Sequence, residues 1–189
     1  MTSPTGATRL FPIIGDPIKY VESPSRLTRT LHERDYDGIC VPMQVPGDDL
    51  DTVMTGLAAT QNVGGILVTM PHKFTAFGYC ATRSERAQML KVVSVIRRNA
   101  DGSWHGDMLD GLAFVKAQID HGAQPDGARA LLLGAGGSVP VGQPVEDSME
   151  AILSATRRHS VALAANAFTS APGSAAVAEP NLTSGAVRP

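Results

Sequence analysis

Between Leu10 and Leu133 the chain alternates short aliphatic runs with longer stretches whose apolar residues recur every three or four positions. Leu10 to Ile14 is an unbroken run closed by Gly15-Asp16-Pro17, which predicts a buried strand. Ser23-Pro24 opens a predicted helix, with serine suited to the N-cap and proline to the first helical position. Leu27, Leu31 and His32 fall on one face of it. Gly38 to Met43 predicts a second strand, since Ile39 and Val41 are β-branched. Asp48, Asp49 and Asp51 suit the N-terminus of a helix whose apolar stripe is Leu50, Val53, Met54, Leu57 and Ala58. Gly65 to Met70 is apolar without alternation, as in a central parallel strand. The pattern then predicts a helix over Thr82 to Leu90, a strand over Val92 to Arg97 and a turn at Asn99-Ala100-Asp101-Gly102. A helix starts at Asp110 or Gly111, with Leu112, Phe114, Val115 and Ile119 as its apolar positions, and Ala130 to Leu133 is the next strand. Strands and helices in alternation predict an α/β fold.

From Ser138 the pattern stops. The charged residues beyond it are Glu146, Asp147, Glu150, Arg157, Arg158, Glu179 and Arg188. Asp147 to Ala165 has the spacing of one amphipathic helix. Residues 169–189 are mainly Ala, Ser, Pro and Gly, the composition of a disordered tail. The expected organisation is a flexible arm over 1–8, a domain over 9–125, an incomplete segment over 126–168 and the tail over 169–189.

Composition narrows the class of partner. Hydrophobic residues at 43% and charged ones at 18% suit a soluble globular protein. A net charge of -2 and an aromatic content of 5% argue against a nucleic-acid surface. No apolar run is long enough to span a bilayer, and Met1 to Arg9 does not read as a secretory signal. Cys40 and Cys80 have no metal-binding spacing, so no metal site or disulfide is expected, and free thiols suit the cytoplasm. The expected partner is a small molecule or another protein subunit.

Two segments carry candidate chemistry. Val68-Thr69-Met70-Pro71-His72-Lys73 places a lysine just past a strand end, and Gly106-Asp107-Met108-Leu109-Asp110-Gly111 places an aspartate at a loop–helix junction. Such a pair can share one proton, as reversible oxidation of an alcohol requires. A lysine does this only where burial or neighbours bring its pKa down, and its commoner fate is an exposed surface. A cation at a helix start opposes the helix dipole, which weighs toward a functional Lys73. Asp110 also suits an N-cap, and Asp107 competes for that place. Thr69 equally suits a strand. Gly134-Ala135-Gly136-Gly137 follows an aliphatic run, as a dinucleotide-binding turn does. Val139 and Pro140, with Gly142 and Pro144 behind them, do not build the helix that would hold the phosphates.

Gly15-Asp16-Pro17-Ile18, Ser23-Pro24, the lysine segment, the aspartate segment and the glycine turn occur in an order and separation that resemble the shikimate dehydrogenase family, over about residues 9 to 137. The resemblance implies a three-layer substrate-binding domain with a mostly parallel sheet, followed by the start of a Rossmann-type domain that is not completed. It implies NADP-dependent reduction of 3-dehydroshikimate or a related cyclic hydroxy acid. Lys73 would move the proton, and Asp110 would hydrogen-bond the reacting hydroxyl. Ser23, Thr69, Ser94 and Val21 would face the substrate, and Gly134, Ala135, Gly136 and Gly137 would face NADP.

The departures from the family are specific. Val21-Glu22-Ser23-Pro24 stands for the usual Ser-Lys-Ser-Pro, Ser94 for the asparagine of Val-Asn-Thr, and Met108-Leu109 for Asn-Thr. A site that loses hydroxyl contacts rejects the ligand built to make them, so the expected substrate is a relative such as quinate or an amino-shikimate. The loss of pattern after Gly137 predicts impaired activity and a frameshifted or replaced C-terminus. The alternative reading is a non-catalytic binding module for shikimate- or quinate-like carboxylates. Apolar surface left uncovered predicts self-association.

Overall fold

The computed structural model describes residues 3–124. The expectations for Ala130 to Leu133, for Gly134, Ala135, Gly136 and Gly137, and for the C-terminal helix and tail lie outside the described residues.

The chain order is β1 (Arg9–Gly15), α1 (Ser23–His32), β2 (Gly38–Gln44), α2 (Leu50–Ala59), β3 (Gly65–Val68), α3 (Lys73–Ala76), β4 (Thr82–Arg83), α4 (Glu85–Leu90), β5 (Val95–Arg98), β6 (Trp104–Asp107) and α5 (Asp110–Asp120). Short 3-10 turns precede α2 and follow α3. The six strands form one sheet in the order β2-β1-β3-β5-β6-β4. β1 pairs parallel with β2 and β3, and β4 pairs parallel with β6. β5 is antiparallel to both its neighbours, so it alone runs against the other described strands. The sheet is mostly parallel, as the alternation of elements predicts.

Period-two alternation sorts side chains onto two faces. Ile14, Ile66, Val68, Ile96 and Trp104 face one side, where Leu50 and Met54 of α2 and Ala87 of α4 pack. Phe11, Ile13, Cys40, Leu67 and Val95 face the other, where Leu27 and Leu31 of α1 and Leu109 pack. Helices therefore cover both faces, giving three layers. Phe11, Leu27 and Leu31 are fully buried, and burying side chains of that size stabilises by about 2 kcal/mol each.

Several local expectations are corrected. Ser23 is the first residue of α1; Glu22 holds the N-cap position without a capping bond and pairs instead with Arg26 one turn on. Ser23 is therefore not the cap, and Pro24 occupies the second helical position. The segment 82–90 is not one helix: Thr82–Arg83 pairs as β4, and Ser84 then caps α4 by accepting from the Ala87 amide at 3.2 Å. β5 starts at Val95, and β6, with its polar His105 and Asp107, was not expected as a strand. The third strand stops at Val68.

Arg98, at the end of β5, closes the C-terminus of α2. Its guanidinium donates to the carbonyls of Leu57, Ala58, Thr60, Val63 and Gly102 at 3.1–3.3 Å and stacks on Trp104 with 4.3 Å to the ring centroid. The last carbonyls of a helix have no partner within it, and an arginine with several donors satisfies them at once. Burial and then the nearby Arg9 pull the Arg98 pKa below its ordinary value.

Two glycines mark places where backbones meet. A Cβ on Gly15 would lie 2.4 Å from Thr69 Cγ2 and 3.0 Å from the Met70 carbonyl. A Cβ on Gly106 would lie 2.6 Å from both Cys80 Sγ and Val93 Cγ1. No helix among the described residues is long and apolar enough to cross a membrane.

Candidate active site

The pairing register gathers one edge of the sheet. Ile14 pairs with Val68, Leu67 with Val95, and Val95 with Asp107. Because β5 is antiparallel, its amino end lies beside the carboxyl ends of β1, β3 and β6. Ligands of open α/β sheets bind beyond carboxyl ends of this kind.

The segment 69–73 leaves β3 there under tight backbone control. Thr69 donates its amide to the Ile14 carbonyl at 2.9 Å, and Asp16 donates to the Met70 carbonyl at 3.0 Å. The Asp16–Pro17 and Met70–Pro71 peptide bonds are both cis. His72 is buried, and its Nε2 lies 2.7 Å from the Val45 carbonyl. A carbonyl only accepts, so that nitrogen carries the proton. Lys73 opens the four-residue α3, and its carbonyl accepts from the Val93 amide at 3.1 Å.

Lys73 is 4% exposed, yet its ammonium is not stranded: Nζ donates to Asp110 Oδ2 at 2.6 Å. The two residues are 37 positions apart in sequence. The Asp110 side chain keeps 36% of its surface exposed, against 6% for that of Lys73. Asp110 lies in the first turn of α5, where the helix dipole favours an anion.

The two aspartates of the second segment have different partners. Asp107 accepts from the Ser84 hydroxyl, from the Arg86 guanidinium and from the Met108 amide. It ties α4 to β6. Neither aspartate caps α5, whose N-cap position is Leu109 with no side-chain cap. Ser94 is 6% exposed; its hydroxyl oxygen accepts from the Leu109 amide at 3.0 Å, and its own proton stays available to donate. Val21 packs at the margin of the cluster that includes Leu109 and Leu27. Ser23 sits half-buried at the start of α1, and Thr69 is half-buried beyond β3.

The structure therefore brings Lys73 to Asp110, and Ser94 to the residue preceding Asp110. Thr69 lies in the same segment as Lys73, and Ser23 and Val21 lie at the mouth of α1. The Val93 amide and the His72 ring were not foreseen. His72 sits inside the lysine segment, but its partner is a backbone carbonyl 27 residues away, which no spacing in the sequence indicates. Burial pushes the Cys40 thiol up to about 12 and the Cys80 thiol up to about 11, so both are protonated and unreactive at neutral pH. Among the described residues no group of three or more His, Cys, Asp or Glu side chains could hold a metal ion.

Comparison with known proteins agrees with this fold. Residues 13–96 match the family described as the shikimate dehydrogenase substrate binding domain. Over these residues the chain is similar to shikimate dehydrogenases. A shikimate dehydrogenase (NADP(+)) of Stenotrophomonas maltophilia is 36% identical over 134 residues, covering 69% of this chain and 46% of the relative. One from Geobacter metallireducens is 35% identical over 135 residues, covering 71% and 46%. The crystal structure of shikimate 5-dehydrogenase from Listeria monocytogenes, in complex with shikimate and NAD, superposes with a TM-score of 0.61 at 27% identity, covering 66% of this chain and 42% of that one. The chain spans about half the length of the curated relatives it matches.

Proposed function

We propose that residues 9–125 form the substrate-binding domain of an NADP-dependent oxidoreductase that interconverts a cyclic hydroxy acid and its ketone, with 3-dehydroshikimate or a close relative as the substrate. The observation that carries this reading is the 2.6 Å contact between Lys73 Nζ and Asp110 Oδ2 at the carboxyl edge of a shikimate dehydrogenase-type sheet. In the reducing direction the ammonium of Lys73 gives its proton to the ring oxygen as the carbon–oxygen double bond becomes an alcohol. Asp110 accepts a hydrogen bond from that hydroxyl and holds the lysine in line. A reduced nicotinamide, when bound, supplies the hydride that completes the step. The residues expected to hold it, Gly134 to Gly137, lie outside the described residues, so NADP is proposed from the relatives' names alone.

Ser23 and Thr69 are proposed to meet the substrate's carboxylate and a hydroxyl. Val21 and Ser94 define its less polar wall, which favours quinate or an amino-shikimate over shikimate. The setting proposed is the cytoplasm, where buried free thiols persist. α5 leaves Leu112, Val115 and Ile119 exposed along one side, and self-association through that stripe is part of the proposal.

A second reading is favoured by the share of the relatives that this chain spans, 46%: a module that binds the cyclic carboxylate without turning it over. Two measurements separate them. Absorbance at the nicotinamide band with NADP and a panel of shikimate, quinate and amino-shikimate supports the first reading if turnover appears and is lost in Lys73→Ala. Thermal stabilisation by a ring acid but not by NADP, with no turnover, establishes the second. No stabilisation by any ring acid refutes both.

A further inference from the structure

We infer that the dipeptide Val93-Ser94 is a clasp that sets the Lys73–Asp110 pair, and that Ser94 is a positioning residue through its hydroxyl. The inference rests on the reading of that pair as the proton-handling site. The two partners belong to different elements, α3 and α5, and neither α3 nor the start of α5 is anchored by a side-chain cap. What joins one to the other is the segment Val93-Ser94, just ahead of β5, that lies between them. Val93 donates its amide to the Lys73 carbonyl at 3.1 Å. Ser94 accepts the Leu109 amide on its hydroxyl at 3.0 Å. Leu109 directly precedes Asp110 and is itself buried at 4% exposure.

Ser94 is in turn stitched to both neighbours in the sheet. Its carbonyl accepts from the Val68 amide at 2.8 Å, and its amide donates to the Asp107 carbonyl at 2.8 Å. Three of these four bonds use backbone groups, which any residue supplies. Only the bond to Leu109 needs a side chain. Without the hydroxyl, the Leu109 amide is a buried donor with no partner, and the first turn of α5 moves to find one. Asp110 moves with it. The same hydroxyl proton remains able to donate to a ligand, so positioning and ligand contact are compatible.

The test reads the pair directly, in the full chain. Lysine-selective 15N NMR follows exchange of the Lys73 ammonium protons, assigned by their loss in Lys73→Arg. Ser94→Ala is expected to speed that exchange about tenfold, the scale of one orphaned buried donor, while Ser94→Thr, which keeps the hydroxyl, exchanges as the parent does. Val93→Ala is the control: it opens a cavity and lowers the melting temperature but keeps the backbone amide, and it is expected to leave the exchange unchanged. Parent-like exchange in Ser94→Ala, or equal acceleration in Val93→Ala, overturns the inference. Asp110→Asn separates the two levels. If it too leaves exchange unchanged, the pair itself is refuted, and with it the reading on which the clasp rests.

Discussion

The two ends of β5 each hold a cation, and they use it differently. At the carboxyl end the Arg98 guanidinium is spread over five backbone carbonyls and the face of Trp104. At the amino end, beside Ser94, the Lys73 ammonium meets a carboxylate that stays partly open to solvent. Arg98 is committed to the chain itself, and its partners are fixed groups that cannot take a proton. Asp110 keeps over a third of its side chain exposed, which the proposed exchange of its partner for a ligand hydroxyl requires. A cation withdrawn from solvent alone therefore says little about function. What distinguishes a reactive one is a titratable partner that a ligand can also reach.

The comparison is sharpest under substitution. Lys73→Ala is expected to lower turnover by about 10³-fold in steady-state assays, the usual scale for a lost general acid. Because the carboxylate left behind is part-exposed, urea unfolding of Lys73→Met is expected to stay within about 1 kcal/mol of the parent. Arg98→Met reverses the pattern. It strands the α2 carbonyls and is expected to cost roughly 3 kcal/mol in urea unfolding, while a ring acid still stabilises the folded fraction. Equal stability losses at both ends would break the contrast.

A smaller effect concerns pH. Burial, then Arg97, holds the His105 pKa below its ordinary 6.5, and its Nδ1 lies 2.9 Å from the Thr82 hydroxyl. The unfolded chain therefore takes up a proton at a higher pH than the folded one. Stability is complete above 6.5 and falls as pH drops through the folded value. Thermal melts between pH 7 and 5 are expected to show this slope, and His105→Gln to flatten it; an unchanged slope in that variant would assign the effect elsewhere. The smallest effect is on assembly: Val115→Lys is expected to reduce self-association in solution scattering, and a parent chain that is already monomeric would remove that part of the proposal.

Much of this was legible in the sequence where the signal is periodic. β1, β2, α2 and β3 follow from aliphatic runs and acidic helix starts, and the lysine and aspartate segments could be named as partners. The shorter elements were not legible. β4 has two residues and β6 alternates polar His105 and Asp107 with buried Trp104 and Gly106, so no run of apolar residues announces them. The direction of β5 is a property of the connection, not of its composition. Ser23 looked like a cap because Ser-Pro is a common helix opening, but the helix takes it as its first turn. The Arg98 carbonyl cluster and the Val93-Ser94 clasp escape any pattern, because each depends on backbone groups brought together only by the sheet.

Gly106 turns that sheet into a transmission. The space where its side chain would stand is occupied by Val93 and Cys80, and Val93 holds the carbonyl of Lys73. A single methyl added on β6 would press on Val93, whose amide holds the Lys73 carbonyl. The room left for the proposed site is thus set in part by an atom the chain does without, and Gly106→Ala is expected to crowd Val93 and Cys80 and lower the melting temperature.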